Sequence, residues 1–98
     1  MLATSVSTQA AASVTSAQQA FNGITIPSNC IGFTIVPIDG ALWWGDSTLT
    51  SSNGKPLGGL QPLTILTSNP NAFYIMAQSG TVNVRRELII NTNWGALA

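Results

Sequence analysis

Six side chains hold all the ionic chemistry of this 98-residue chain: the carboxylates Asp39, Asp46 and Glu87 and the cations Lys55, Arg85 and Arg86. Cys30 is the single thiol, and there is no histidine. A Ser-His-Asp triad, a Cys-His dyad and every histidine-ligated metal site are thereby excluded. Cys30 has no evident base to generate its thiolate and no second cysteine for a disulfide or a C-x-x-C site, so it reads as a small buried hydrophobe. Two carboxylates about 5 to 9 Å apart can cleave a glycosidic bond. However, Asp39-Gly40 and Gly45-Asp46-Ser47 are contexts in which aspartate caps a turn by accepting from nearby amides. Turn capping is therefore expected, in preference to catalysis or to calcium binding by Asp46 with Ser47 to Asn53. Gly54-Lys55 fails as a phosphate loop because Pro56 stands where Ser or Thr is needed. No catalytic, cofactor-binding or metal residue is expected, and the chain does not read as an enzyme.

The side chains that remain are suited to contact. Adjacent residues of a strand point to opposite faces, so Trp43-Trp44 must send one ring inward and one outward, and Phe73-Tyr74 likewise. Trp44, Tyr74 and, near the end of the chain, Trp94 are the candidate contact rings, because Trp and Tyr are enriched where protein surfaces meet. Core-edge packing, a subunit interface and a glycan platform all stay open for the outward tryptophan. Arg85 and Arg86 leave on opposite faces and cannot make one basic patch; one is expected to pair with Glu87 or with a neighbouring subunit.

Composition points the same way. Charged residues make up 6% of the chain, apolar residues 45%, and the formal net charge is zero, against about 25% charged in an ordinary domain. Such hydrophobicity excludes a disordered chain. Three cations are too few for strong binding to free nucleic acid, and no apolar run approaches the length of a membrane span. The opening residues lack the cationic and apolar parts of a secretory signal, so synthesis in a cytoplasm is expected. A small domain with so little self-repulsion should associate, and a homo-oligomer is the expected working state.

The elements that must position these residues are strands. Residues 1–22 form an arm rich in Ala, Ser, Thr and Gln, whose β-branched and hydroxyl residues favour an extended strand over a helix. It must lie along its own or a neighbour's surface, and its removal is expected to leave the rest folded. Glycines and prolines then punctuate residues 23–90 at short intervals. Between them lie β-prone runs at Ile31 to Val36, Ala41 to Trp44, Thr48 to Thr50, Leu63 to Leu66, Phe73 to Ala77 and Thr81 to Ile90. Ile31, Phe33 and Ile35 should face the core, as should Val82 and Val84. Asn53-Gly54 suggests a tight turn folding the Thr48 strand back through Lys55-Pro56-Leu57, with Pro56 at an edge. The prediction is an all-β antiparallel sandwich over 23–90 with an extended N-terminal arm and a tail over 91–98.

The run from Leu42 to Leu57, with its aromatic strand, Gly-polar turn, alternating Leu-Thr segment and Asn-Gly-Lys-Pro-Leu, resembles small virion proteins of tailed bacteriophages. The run Phe73 to Val84, an aromatic strand, a Ser-Gly turn and Val-Asn-Val, resembles their closing hairpin. The similarity spans roughly residues 31 to 86. It implies a jelly-roll-like sandwich acting as a noncatalytic capsid decoration (cement) protein in the virion, in contact with the major capsid protein or other virion proteins. The alternative is a tail, neck or vertex protein that binds host-surface glycan or another virion protein.

Overall fold

The computed structural model describes residues 4–92, and every regular element but one is a strand. The longest, β9 (Val82–Asn91), buries Val82, Val84, Arg86 and Leu88 on one face and turns Asn83, Arg85 and Glu87 to the other. That period of two is the strand signature. β9 lies at the centre of the first sheet. On one side it pairs with β4 (Cys30–Pro37), which pairs in turn with β7 (Leu63–Ile65). On its other side lie β1 (Thr4–Thr8) and β2 (Ala12–Val14). The second sheet runs β3 (Gln18–Gln19), β8 (Tyr74–Ala77), β5 (Leu42–Gly45), β6 (Lys55–Leu57), and all pairings in both sheets are antiparallel.

β1 and β2 are one strand interrupted by a bulge. Thr8 faces Glu87 and Ala12 faces Val84, so Gln9 to Ala11 oppose only Arg85 and Arg86. With β1 and β2 counted together, the first strand pairs with the last, the second with the seventh, the third with the sixth and the fourth with the fifth. This nesting is a jelly roll: a long antiparallel hairpin folded over into two sheets.

The inward faces share one core. Phe21, Phe33 and Phe73 meet edge to face with ring centroids 5.3 Å apart at each step, and Trp44 continues the column 6.4 Å from Phe73. Each such pair contributes about 1 kcal/mol beyond the area it hides. Ala12, Val14, Ala20 and Phe21 are buried members of this core. Residues 4–22 thus supply strands to both sheets and a ring to the core, and the boundary expected at residue 22 separates nothing. A segment built into both sheets in this way argues against its being dispensable for folding. Of the expected tail, Asn91 belongs to β9; residues 93–98 lie outside the described residues.

Two local expectations are also corrected. Thr48 to Thr50 is loop, because side chains capture its backbone groups before a ladder can. Asp46 Oδ1 accepts from the Thr48 amide at 2.9 Å, and Asn53 accepts from the Thr50 amide at 2.8 Å while donating to the Thr48 carbonyl at 3.0 Å. Such local bonding is how Asx residues compete with strands. The hairpin therefore joins β5 to β6 across Asp46 to Gly54, with Pro56 on the edge strand as its missing N–H requires. Ile31 falls out of step with Phe33 and Ile35 because a bulge between Cys30 and Gly32 shifts the register. Cys30, not Ile31, takes the buried place.

Candidate functional site

The sheet registers assign the candidate side chains among the described residues to a face. On β5, Leu42 points inward, so Trp44 shares its side and Trp43 faces out. Trp44 packs half-buried against the core at the open edge of the sandwich, with Lys55 Nζ 4.9 Å from its ring. A pocket of about 350 Å³ opens here, lined by Trp44, Gly45, Asp46, Lys55, Ala72 and Phe73. Asp46 accepts from the Thr48 hydroxyl at 2.6 Å and from its amide. Those bonds, the hydroxyl's first, hold its carboxyl below the ordinary carboxylate range, with Lys55 adding a smaller pull. The pocket thus combines an aromatic wall with one negative and one positive group at its rim.

Tyr74 faces outward on the second sheet, in register with Gly45 and Gln19. In the adjoining row Trp43 stands between Pro56 and Met76. In the sequence Trp44, not Trp43, stood among the candidate contact rings, and Met76 was not named. The parity of Leu42, a strong core residue two positions before Trp44, is the signal that finds them.

The outer face of the first sheet has a different character. Val6, Ile89 and Gly32 lie in one row across three strands, and the Leu66 side chain leans over Gly32. Val6 is 57% and Leu66 78% exposed. The next row carries Thr8, Glu87, Thr34 and Thr64, with a hydrogen bond of 2.8 Å between the two hydroxyls of Thr34 and Thr64. Arg85 is exposed one row further on, beside Val36. At the β1–β2 bulge this face opens into a pocket of about 390 Å³ among Thr8, Gln9, Ala11, Arg85, Arg86 and Glu87.

Arg86 departs from the expected surface or intersubunit ion pair. It is only 5% exposed, because its parity on β9 is that of Val84 and Leu88. Its Nε donates to the Ala10 carbonyl at 2.8 Å, and its Nη1 donates to the carbonyls of Asn22 at 3.1 Å and Ala20 at 3.4 Å. The guanidinium lies 5.9 Å from the Phe21 ring. Burial lowers its pKa, with no carboxylate among the described residues offsetting it. Arg86 is a clamp on the N-terminal segment.

The carboxylates are not gathered. Asp39 accepts from the Asn83 amide and side chain, both at 2.8 Å, Asp46 sits in the β5–β6 loop, and Glu87 lies on the outer face of the first sheet. Among the described residues no group of three metal-ligating side chains occurs. Cys30 is buried, its Sγ 3.3 Å from the Gly32 carbonyl. Trp94 lies outside the described residues. No family model, no curated protein and no solved structure matches this chain.

Proposed function

We propose that this chain is a noncatalytic structural subunit of a phage virion, most specifically a capsid decoration protein that stabilises the head as a homo-oligomer. Jelly rolls are common among viral capsid domains but also among lectins, so the fold alone does not decide the role. The observation that carries the reading is the apolar row Val6, Ile89 and Leu66 on the outer face of the first sheet. With Arg86 buried, five charged side chains remain to keep a surface so apolar dispersed in water. Coverage by a second copy or by the major capsid protein removes that area from water, and symmetry repeats the weak contact until it becomes avidity. The protein would be made in the bacterial cytoplasm and act in the particle. It needs no cofactor, nucleic acid or membrane for this role.

Sedimentation of the purified protein, with and without undecorated heads, tests the reading. Oligomers and head binding are expected for the native chain, and both should be lost when Val6 and Leu66 are changed together to Glu. A monomer indifferent to heads sinks the proposal.

One observation favours a second reading, a tail or vertex module that binds glycan. The Trp44–Phe73 pocket has an apolar wall with a few convergent polar groups, the make-up of small-ligand sites. Glycan-array binding that disappears in Trp44→Ala and persists in Tyr74→Ala would select it.

A further inference from the structure

The chain contains two Asn-Gly dipeptides, Asn22-Gly23 and Asn53-Gly54, and the structure treats them oppositely. Asn53 is pinned at both ends of its amide, and the Gly54 N–H donates to the Thr50 carbonyl at 3.0 Å. The Asn22 side chain is exposed and makes no hydrogen bond among the described residues, and neither does the Gly23 N–H. Gly23 has φ +81°, and nothing lies within 4 Å of where a Cβ would stand, so no neighbouring atom crowds that side of the turn, which the Ile24 amide closes by donating to the Phe21 carbonyl at 3.0 Å.

We propose that Asn22-Gly23 is a self-modification site whose product is isoaspartate, and that this product supplies the carboxylate that the buried Arg86 lacks. In the first step the Gly23 nitrogen loses its proton to water or hydroxide and attacks Asn22 Cγ. The Cγ–Nδ2 bond breaks, ammonia leaves, and a five-membered succinimide remains. In the second step water adds to one of the two ring carbonyls. Attack at the α-carbonyl carbon breaks its bond to the Gly23 nitrogen, which takes a proton and stays joined to Cγ. The main chain then runs through Cβ and Cγ, and the former α-carbonyl is a free carboxylate. The net change is gain of water and loss of ammonia, with no oxidant or reductant.

The α-carbonyl oxygen of Asn22 is the atom that Arg86 Nη1 holds at 3.1 Å. A cation placed there stabilises the oxyanion that forms when water attacks that carbonyl, so ring opening is steered toward isoaspartate. The oxygen Arg86 grips as a neutral acceptor becomes part of an anion, and a charge-assisted bond replaces an ordinary one. Arg86 acts here as a positioning and electrostatic group on the chain's own backbone.

The test is peptide mapping of the full-length folded protein aged at mildly alkaline pH, with fragmentation that separates isoaspartate from aspartate. Isoaspartate at position 22 should accumulate about tenfold or more faster than at 53, because the bonds holding Asn53 and Gly54 must break first. In denaturant the two sites should convert alike. Arg86→Met should lower the ratio of isoaspartate to aspartate at position 22. Should that variant fail to fold, Arg86→Gln, which keeps a polar donor but removes the charge, is read in its place with the same expectation. The urea midpoint of the aged native protein should hold or rise relative to unaged protein, while Asn22→Gln should not change on ageing. Equal conversion at 22 and 53 in the folded protein, a product ratio indifferent to Arg86, or a fall in midpoint on ageing each overturns the proposal.

Discussion

The Nε of Arg86 donates to the carbonyl of Ala10 at 2.8 Å, joining residues seventy-six positions apart. The bulge at Gln9 to Ala11 makes that reach possible, since it lifts the Ala10 carbonyl out of the ladder while the Gln9 amide stays bonded to the Arg86 carbonyl at 2.9 Å. Backbone and side chain of one residue thus grip opposite sides of the same irregularity. The three carbonyls bound by the guanidinium all come from residues 10–22, the segment that links the first sheet to the second.

Removing that grip should be costly. Arg86→Ala leaves three acceptors unsatisfied and a void beside Phe21, and a loss of about 3 kcal/mol in unfolding free energy is expected from urea titration. Arg86→Met fills the volume and removes the desolvated charge, so it should lose less.

Deleting residues 2–20 should unfold the protein. The deletion strips β1, β2 and β3 from both sheets and takes Ala12 and Val14 from the core. Loss of the tryptophan emission shift and of dispersed amide resonances checks this. A truncated chain with native spectra would show that the segment is an accessory after all.

The β5–β6 loop is closed by contact as well as by hydrogen bonds. A Cβ at Gly54 would fall 2.6 Å from Trp43 Cβ and 2.9 Å from Leu49 Cδ1. Gly54→Ala should therefore destabilise by about 1 to 3 kcal/mol through overpacking. Gly23→Ala meets no atom, but its φ of +81° makes it strained by roughly 1 kcal/mol. Thermal melts of the two variants should separate these causes, with the larger drop for Gly54.

Acid should weaken the fold through Asp39. The Asn83 backbone amide, then its side chain, holds the Asp39 carboxyl below its ordinary pKa. A carboxylate lowered in the folded state contributes stability that is present above its unfolded pKa and lost as pH falls through the folded one. Urea midpoints of the native chain should decline as pH drops through and below the ordinary carboxylate range. Asp39→Asn, whose side chain does not titrate, should flatten part of that slope, and Asp46→Asn another part.

The all-β class, the inward set Phe33, Ile35, Val82 and Val84, and the capping role of Asp46 were legible in residue order, because alternation and turn chemistry act over a few neighbours. Asp39 was half legible: it caps, but across to Asn83 on β9, forty-four residues away. Arg86 was not legible as a core residue, since its charge argues for the surface and only its parity with Val84 and Leu88 argues otherwise. Three backbone carbonyls from a distant segment decide that conflict, and no local pattern encodes them. Which of Trp43 and Trp44 faces inward was not legible for a smaller reason: two adjacent tryptophans look alike until Leu42 sets the phase. The N-terminal segment was legible as an extended strand along another surface, but its place within both sheets was not, because a strand beside β9 needs only backbone groups and a small residue at every second place.

The nesting of first strand on last also sets a timetable for the chain at birth. β9 occupies the middle of its sheet, so β1, β2 and β4 wait without their common neighbour until a ribosome has extruded residue 91. During that interval the bare strand edges and the sticky N-terminal half are exposed to every other nascent copy nearby. Crowded polysomes producing such a chain would be a hazard to it, and slow, well-spaced synthesis or a holding chaperone would raise the yield of folded molecules.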